Sequence, residues 1–267
     1  MIKFDLNFGL DKRRKIIISS GILSLGLLST RFVPIYLTNH FILGLTVLSY
    51  ILTLWSLWEG MDKVKAAISM ILPTFFTLAV VSFYFLLPIR FLTGFPVAFL
   101  FGVTFYTLLL SQNVFNVASM RTIPLYRAAS TTVFVLTLLT AFLLFNVMFS
   151  FKMFFVWNGV WAFLISLPLI LHVLWSIEMD KVSSLVITYS LLLSLVLGEA
   201  ALALSFWPLF NTSNNMASLM IATVLFVILG ISTHALRDRL GRGVAWEYAV
   251  WGVAVFFIAV MTTSWTG

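Results

Sequence analysis

Nine apolar segments, each about 20 residues long, follow one another through almost the whole chain with only short polar gaps, and no other feature restricts its fold so strongly. They cover residues 16–37, 41–58, 66–88, 91–110, 130–149, 153–177, 183–207, 216–236 and 244–265. A hydrocarbon core about 30 Å thick is crossed by about 20 helical residues, and only helices or closed barrels satisfy their backbone groups there. The segments run uninterrupted, without the in–out alternation of barrel strands. Charged residues make up only 9% of the chain, against about a quarter in soluble domains. The expected fold is all-α, a polytopic transmembrane helical bundle of nine helices.

Basic residues occupy every second gap. Lys12, Arg13, Arg14 and Lys15 precede the first segment; Lys63 and Lys65, Arg121 and Arg127, Lys181, then Arg237, Arg239 and Arg242 fill the even gaps. Of the 16 Lys and Arg residues, only Arg31, Arg90 and Lys152 fall on the other side. The positive-inside rule then places the N-terminus in the cytoplasm and the C-terminus outside, in a multi-pass inner (cytoplasmic) membrane protein. The net charge of +7 is spread over these short segments. It matches the lipid bilayer with anionic headgroups on the cytoplasmic side, and no nucleic acid. The first segment reads as an uncleaved anchor, since no small-x-small cleavage site precedes Arg31. With no cysteine, the chain has no disulfides, thiolate metal sites or cysteine nucleophiles.

An internal repeat is expected. Leu54, Trp55, Ser56 and Glu59 run into Met61, Asp62, Lys63 and Val64, and Leu174, Trp175, Ser176 and Glu178 run into Met179, Asp180, Lys181 and Val182. Four segments separate each stretch from its copy, an even number, so both copies share one orientation in the membrane. The chain divides accordingly into residues 1–38 (basic N-terminus and first helix), 39–150 (first four-helix repeat) and 151–267 (second four-helix repeat).

Glu199 is the one acidic residue well inside a segment, and an intramembrane carboxylate is by default a site candidate. It lies about 24 Å along the seventh segment. Asn146, Asn158 and Arg31 fall at about the same outward depth, so the four form a candidate intramembrane polar site. Alternatively, Arg31 pairs with Glu199 and the amides only lock helices together. Ser190, Ser194, Gly198, Ala201 and Ser205 make a stripe of small residues suited to close helix packing. Pro73, Pro96 and Pro168 each remove a backbone bond and permit a kink. His172 and His234 lack partners at ligand spacing and read as hydrogen-bonded histidines rather than haem or metal ligands.

The longest internal connection, NVFNVASMRTIPLYRAAS over 113–130, mixes apolar residues with Arg121 and Arg127. It suits an element lying flat at the cytoplasmic interface, with both arginines as candidate anionic lipid contacts. The alternative is an anion site formed with Gln112, Asn113 and Asn116. This loop, together with GEAALALSFWPLF over 198–210, resembles segments of an uncharacterised bacterial polytopic membrane family, a domain of unknown function. The resemblance implies a bacterial cytoplasmic membrane and assigns no chemistry.

Several functions are excluded. Every Asp lies in a terminal or cytoplasmic segment, which removes the intramembrane aspartyl proteases; no His-Glu-x-x-His or phosphate-binding glycine loop occurs. No catalytic, cofactor-binding or metal residue is expected, and no cofactor. Two readings remain: a small-solute, ion or lipid transporter or permease with a polar pocket around Glu199, and a non-catalytic membrane scaffold or assembly subunit with Glu199 paired. A protein partner or a homo-oligomer fits either.

Overall fold

The computed structural model describes residues 11–58, 63–87, 91–118, 125–179, 183–206 and 214–262. These form α1 (Lys12–Ser29), α2 (Thr38–Leu57), α3 (Lys63–Ser69), α4 (Ile71–Leu86), α5 (Phe91–Ala118), α6 (Tyr126–Ser150), α7 (Phe155–Glu178), α8 (Ser184–Leu204), α9 (Asn214–Leu236) and α10 (Arg242–Thr262). No strand occurs among the described residues, and nine helical stretches are long and apolar enough to cross a membrane, α3 and α4 together making the third. The protein is an all-α, multi-pass membrane protein.

Proline decides where several of these helices deviate from the sequence reading. The first apolar segment is expected to run to residue 37, but α1 stops at Ser29 and two 3-10 turns, Thr30–Phe32 and Ile35–Leu37, follow. Pro34 lies between them and pushes Val33 to extended backbone (φ −86°, ψ 121°), as a residue before proline prefers. Arg31 therefore sits in a turn, not within a helix. Pro73 has no N–H to bond the Ser69 carbonyl, and α3 and α4 part at Met70. The break is slight, because Met70 N–H reaches the Ala66 carbonyl and Thr74 N–H reaches the Met70 carbonyl, both at 3.2 Å. By contrast α5 and α7 continue through Pro96 and Pro168.

The connection expected over 113–130 is largely helical. α5 extends to Ala118 and α6 begins at Tyr126, so Gln112, Asn113 and Asn116 lie on a helix rather than in an interfacial loop. Lipid offers backbone no hydrogen bonds, which favours prolonging the helix to the interface.

α6 is the hub. It packs against α4, α5, α7 and α9, and 61% of its span is buried. Its buried Thr137 and Thr140 bond the carbonyls of Val133 and Leu136, so neither hydroxyl needs an outside partner. α1 joins α2 and α5, α2 lies on α4, and α8 lies mainly on α7. α10 is held chiefly by α9, with 6% of its span buried. One apolar core runs from Ile16 to Ala259 and includes residues of both expected halves.

Most pairings within the two halves correspond, α2 lying on α4 as α7 lies on α8, and α5 on α6 as α9 on α10, with one exception. α4 lies against α6, whereas α8 and α10, their counterparts in the expected repeat, form no comparable interface. Buried Ser56 and Ser176, at matching positions, each donate to the carbonyl three residues back.

Charge is partitioned between the two ends of the bundle. Lys15 lies over the Trp55 ring, joining the start of α1 to the end of α2, and Arg237 at the end of α9 reaches Tyr126 at the start of α6. Arg31 and Lys152 belong to the opposite end.

Candidate functional site

The four polar residues of equal depth do not converge. Asn146 is buried on α6, where its Nδ2 donates to Asn215 Oδ1 at 2.6 Å and Ser218 Oγ at 3.2 Å on α9. Asn158, buried on α7, donates to Ser205 Oγ at 3.0 Å beyond the end of α8. Arg31 Nε donates to the Tyr84 hydroxyl at 3.4 Å on α4, and its guanidinium fills the space beside Gly94 of α5 that a Cβ would need. Glu199 is exposed on the outer face of α8, with no hydrogen bond or ion pair to a described residue. Equal depth fixes height only; the direction around each helix is set by its neighbours, and α1 and α8 have different ones.

Asn146 and Asn158 thus fasten helix pairs. The small-residue stripe does the same for α7 and α8, whose backbones meet at Gly159 and Gly198. Ser190 and Ser194 are buried there and bond carbonyls of their own helix, to Val186 at 2.7 Å and Leu191 at 2.9 Å.

At the cationic end lies a polar cavity that the sequence reading did not identify. Its volume is about 220 Å³, and it opens between α6, α7, α9 and the first turns of α10. Ser130 and Thr131, Ser176, Thr233 and His234, Arg237 and Tyr248 supply its polar lining. Arg237 Nη2 donates to Ser130 Oγ at 3.1 Å and to the Tyr126 hydroxyl at 3.3 Å, with its guanidinium 5.9 Å from the Tyr126 ring centre. The Tyr126 hydroxyl donates in turn to the Ser176 carbonyl at 2.9 Å. A guanidinium has five N–H donors, and those beyond Nη2 have no acceptor among the described residues.

Tyr248 closes one wall. Its ring lies 5.0 Å from Phe226 and 6.0 Å from His234, against Gly230, where any side chain would overlap it. The next residue, Ala249, lines a larger groove of about 380 Å³ between α9 and α10, apolar apart from Thr223. Arg127 is exposed on the first turn of α6, the element that also carries Ser130. Arg121 lies outside the described residues.

His172 is fully buried about one turn deeper on α7, and its Nε2 lies 3.0 Å from Gln112 Nε2 and 3.4 Å from Gln112 Oε1 on α5. Its Nδ1 has no hydrogen-bond partner among the described residues. His172 and His234 are held by different neighbours, and no group of three or more His, Cys, Asp or Glu able to hold a metal occurs among the described residues.

The model of a family described as a protein of unknown function, DUF5656, matches residues 57–262. The chain belongs to this family. The match takes in every element of the polar cavity and leaves α1 and nearly all of α2 outside it. No curated protein and no solved structure matches the chain.

Arg237 and His234 sit three residues apart at the end of one apolar segment, while Tyr126 and Ser130 sit four apart at the start of another, each pair on one helical face. The sequence does not show that these two helices are adjacent.

Proposed function

We propose that the protein binds the anionic head of a membrane amphiphile in the cavity between α6, α7 and α9, at the cytoplasmic leaflet of the inner membrane, with its N-terminus inside. The observation that carries this reading is Arg237, fixed by Ser130 and Tyr126 while keeping donors without acceptors among the described residues, beside a cavity lined by hydroxyls and His234. Charge-assisted hydrogen bonds to phosphate are the strong ones, and arginine suits them geometrically. Arg127 adds a second cation at the same end of α6. The neighbouring apolar groove favours an amphiphile over a free anion.

A transporter centred on Glu199 has less support, because that carboxylate faces away from the bundle and lines neither cavity. The function favoured here is non-enzymatic lipid binding.

Native mass spectrometry of the purified protein with phosphatidylglycerol and phosphatidylcholine tests the assignment. Phosphatidylglycerol should be retained preferentially, and Arg237→Gln should reduce that preference roughly tenfold, the scale of one lost charge-assisted bond. Inorganic phosphate should compete poorly if the apolar groove contributes. Equal retention of both lipids, or no effect of Arg237→Gln, would remove the proposal.

A further inference from the structure

Glu199 lies five residues, about 7.5 Å, below the last residue of α8, and its carboxyl faces the surroundings of the bundle. An uncompensated carboxylate facing hydrocarbon is costly, and its two methylenes are too short to snorkel as lysine does. The residues sharing its face are apolar or nearly so. Leu185 and Leu192 precede it at intervals of seven, with Thr188 and Leu195 between, and all four are exposed. α8 thus carries two seams: the small-residue stripe occupied by α7, and a heptad seam that nothing among the described residues covers.

We propose that this second seam joins α8 to α8 of a second copy, with the two Glu199 carboxyls hydrogen-bonded to each other. A two-fold axis along the membrane normal makes the helices parallel and sets each residue of the seam against its own copy. In a parallel pair, a single polar residue at such a position fixes register and partner number. A carboxyl group that carries its proton has one donor and an acceptor, so it complements a copy of itself. Glutamate is therefore satisfied by a copy of itself, which selects this chain as the occupant.

The chain has no cysteine, so single substitutions give clean cross-linking. Leu192→Cys, on the seam, should form a disulfide-linked species of twice the chain mass in native membranes under mild oxidation. Ile187→Cys, exposed on the same helix but about 120° away from Glu199, should not. In detergent, Glu199→Leu should shift the monomer–dimer equilibrium at least tenfold toward monomer, whereas Glu199→Gln, which keeps a donor and an acceptor, should hold the dimer. Ile187, Leu192 and Glu199 are all exposed, so none of these variants disturbs the fold of the single chain. The proposal is overturned if Leu192→Cys yields no dimer, if Ile187→Cys links equally well, if the linked species has another mass, or if Glu199→Leu dimerises unchanged.

Discussion

Gly198→Ala offers the most direct test of how the helices are held together. A Cβ on Gly198 would stand 3.0 Å from the Gly159 carbonyl oxygen and 3.3 Å from Phe163 Cβ. One on Gly159 would stand 3.1 Å from the Gly198 carbonyl oxygen and 3.2 Å from Leu202 Cβ. Ordinary contact begins at 3.4 Å, so either methyl forces α7 and α8 apart by roughly 0.3–0.4 Å along their most extensive interface. Over-packing of this kind costs about 1–3 kcal/mol. The gain in helix propensity from Gly to Ala, up to about 1 kcal/mol, offsets part of it.

Gly44→Ala supplies the comparison, because nothing lies within 4 Å of its built Cβ. It receives the propensity gain without the clash. Gly198→Ala should therefore be less stable than Gly44→Ala by about 1–3 kcal/mol when unfolding is followed in mixed micelles. Because one separation of the helices relieves both methyls, the Gly159→Ala/Gly198→Ala double variant should lose less than the sum of the singles, by about 0.5 kcal/mol or more. Equal stability of Gly198→Ala and Gly44→Ala, or strict additivity, would refute the close backbone contact.

His172→Leu should destabilise the protein by about 1–3 kcal/mol, because it leaves the Gln112 amide buried without its partner. The Gln112→Leu/His172→Leu pair should recover most of that loss in the same unfolding assay, since removing both partners leaves no unsatisfied group. For topology, Arg127→Cys should react with an impermeant thiol reagent only in inverted vesicles, and Lys152→Cys only in intact cells. Labelling of both from one side would overturn the proposed threading.

Much of the architecture is written in the chain. Hydropathy places the spans because a bilayer has one thickness and backbone polar groups must be paired inside it. Segments 130–149 and 183–207 correspond closely to α6 and α8 for this reason. Local proline chemistry was harder to weigh. Pro34 ends a helix that hydropathy alone would continue, Pro73 divides one, and Pro96 and Pro168 are absorbed without interruption. The candidate site was barely legible: Asn146, Asn158, Arg31 and Glu199 share a depth, yet the first three face different helices and Glu199 faces outward.

By itself, then, the sequence determined the number of crossings, the cationic end and the stripe by which α8 meets α7. Only the tertiary structure decided that α6 is central while α10 is almost bare, that Arg237 joins Tyr126 and Ser130 across more than a hundred residues, and that Glu199 looks outward. The physical reason is that lipid is as apolar as a helix interface. A leucine facing a neighbouring helix and a leucine facing an acyl chain leave the same mark on hydropathy, so the direction each span faces is set by packing alone.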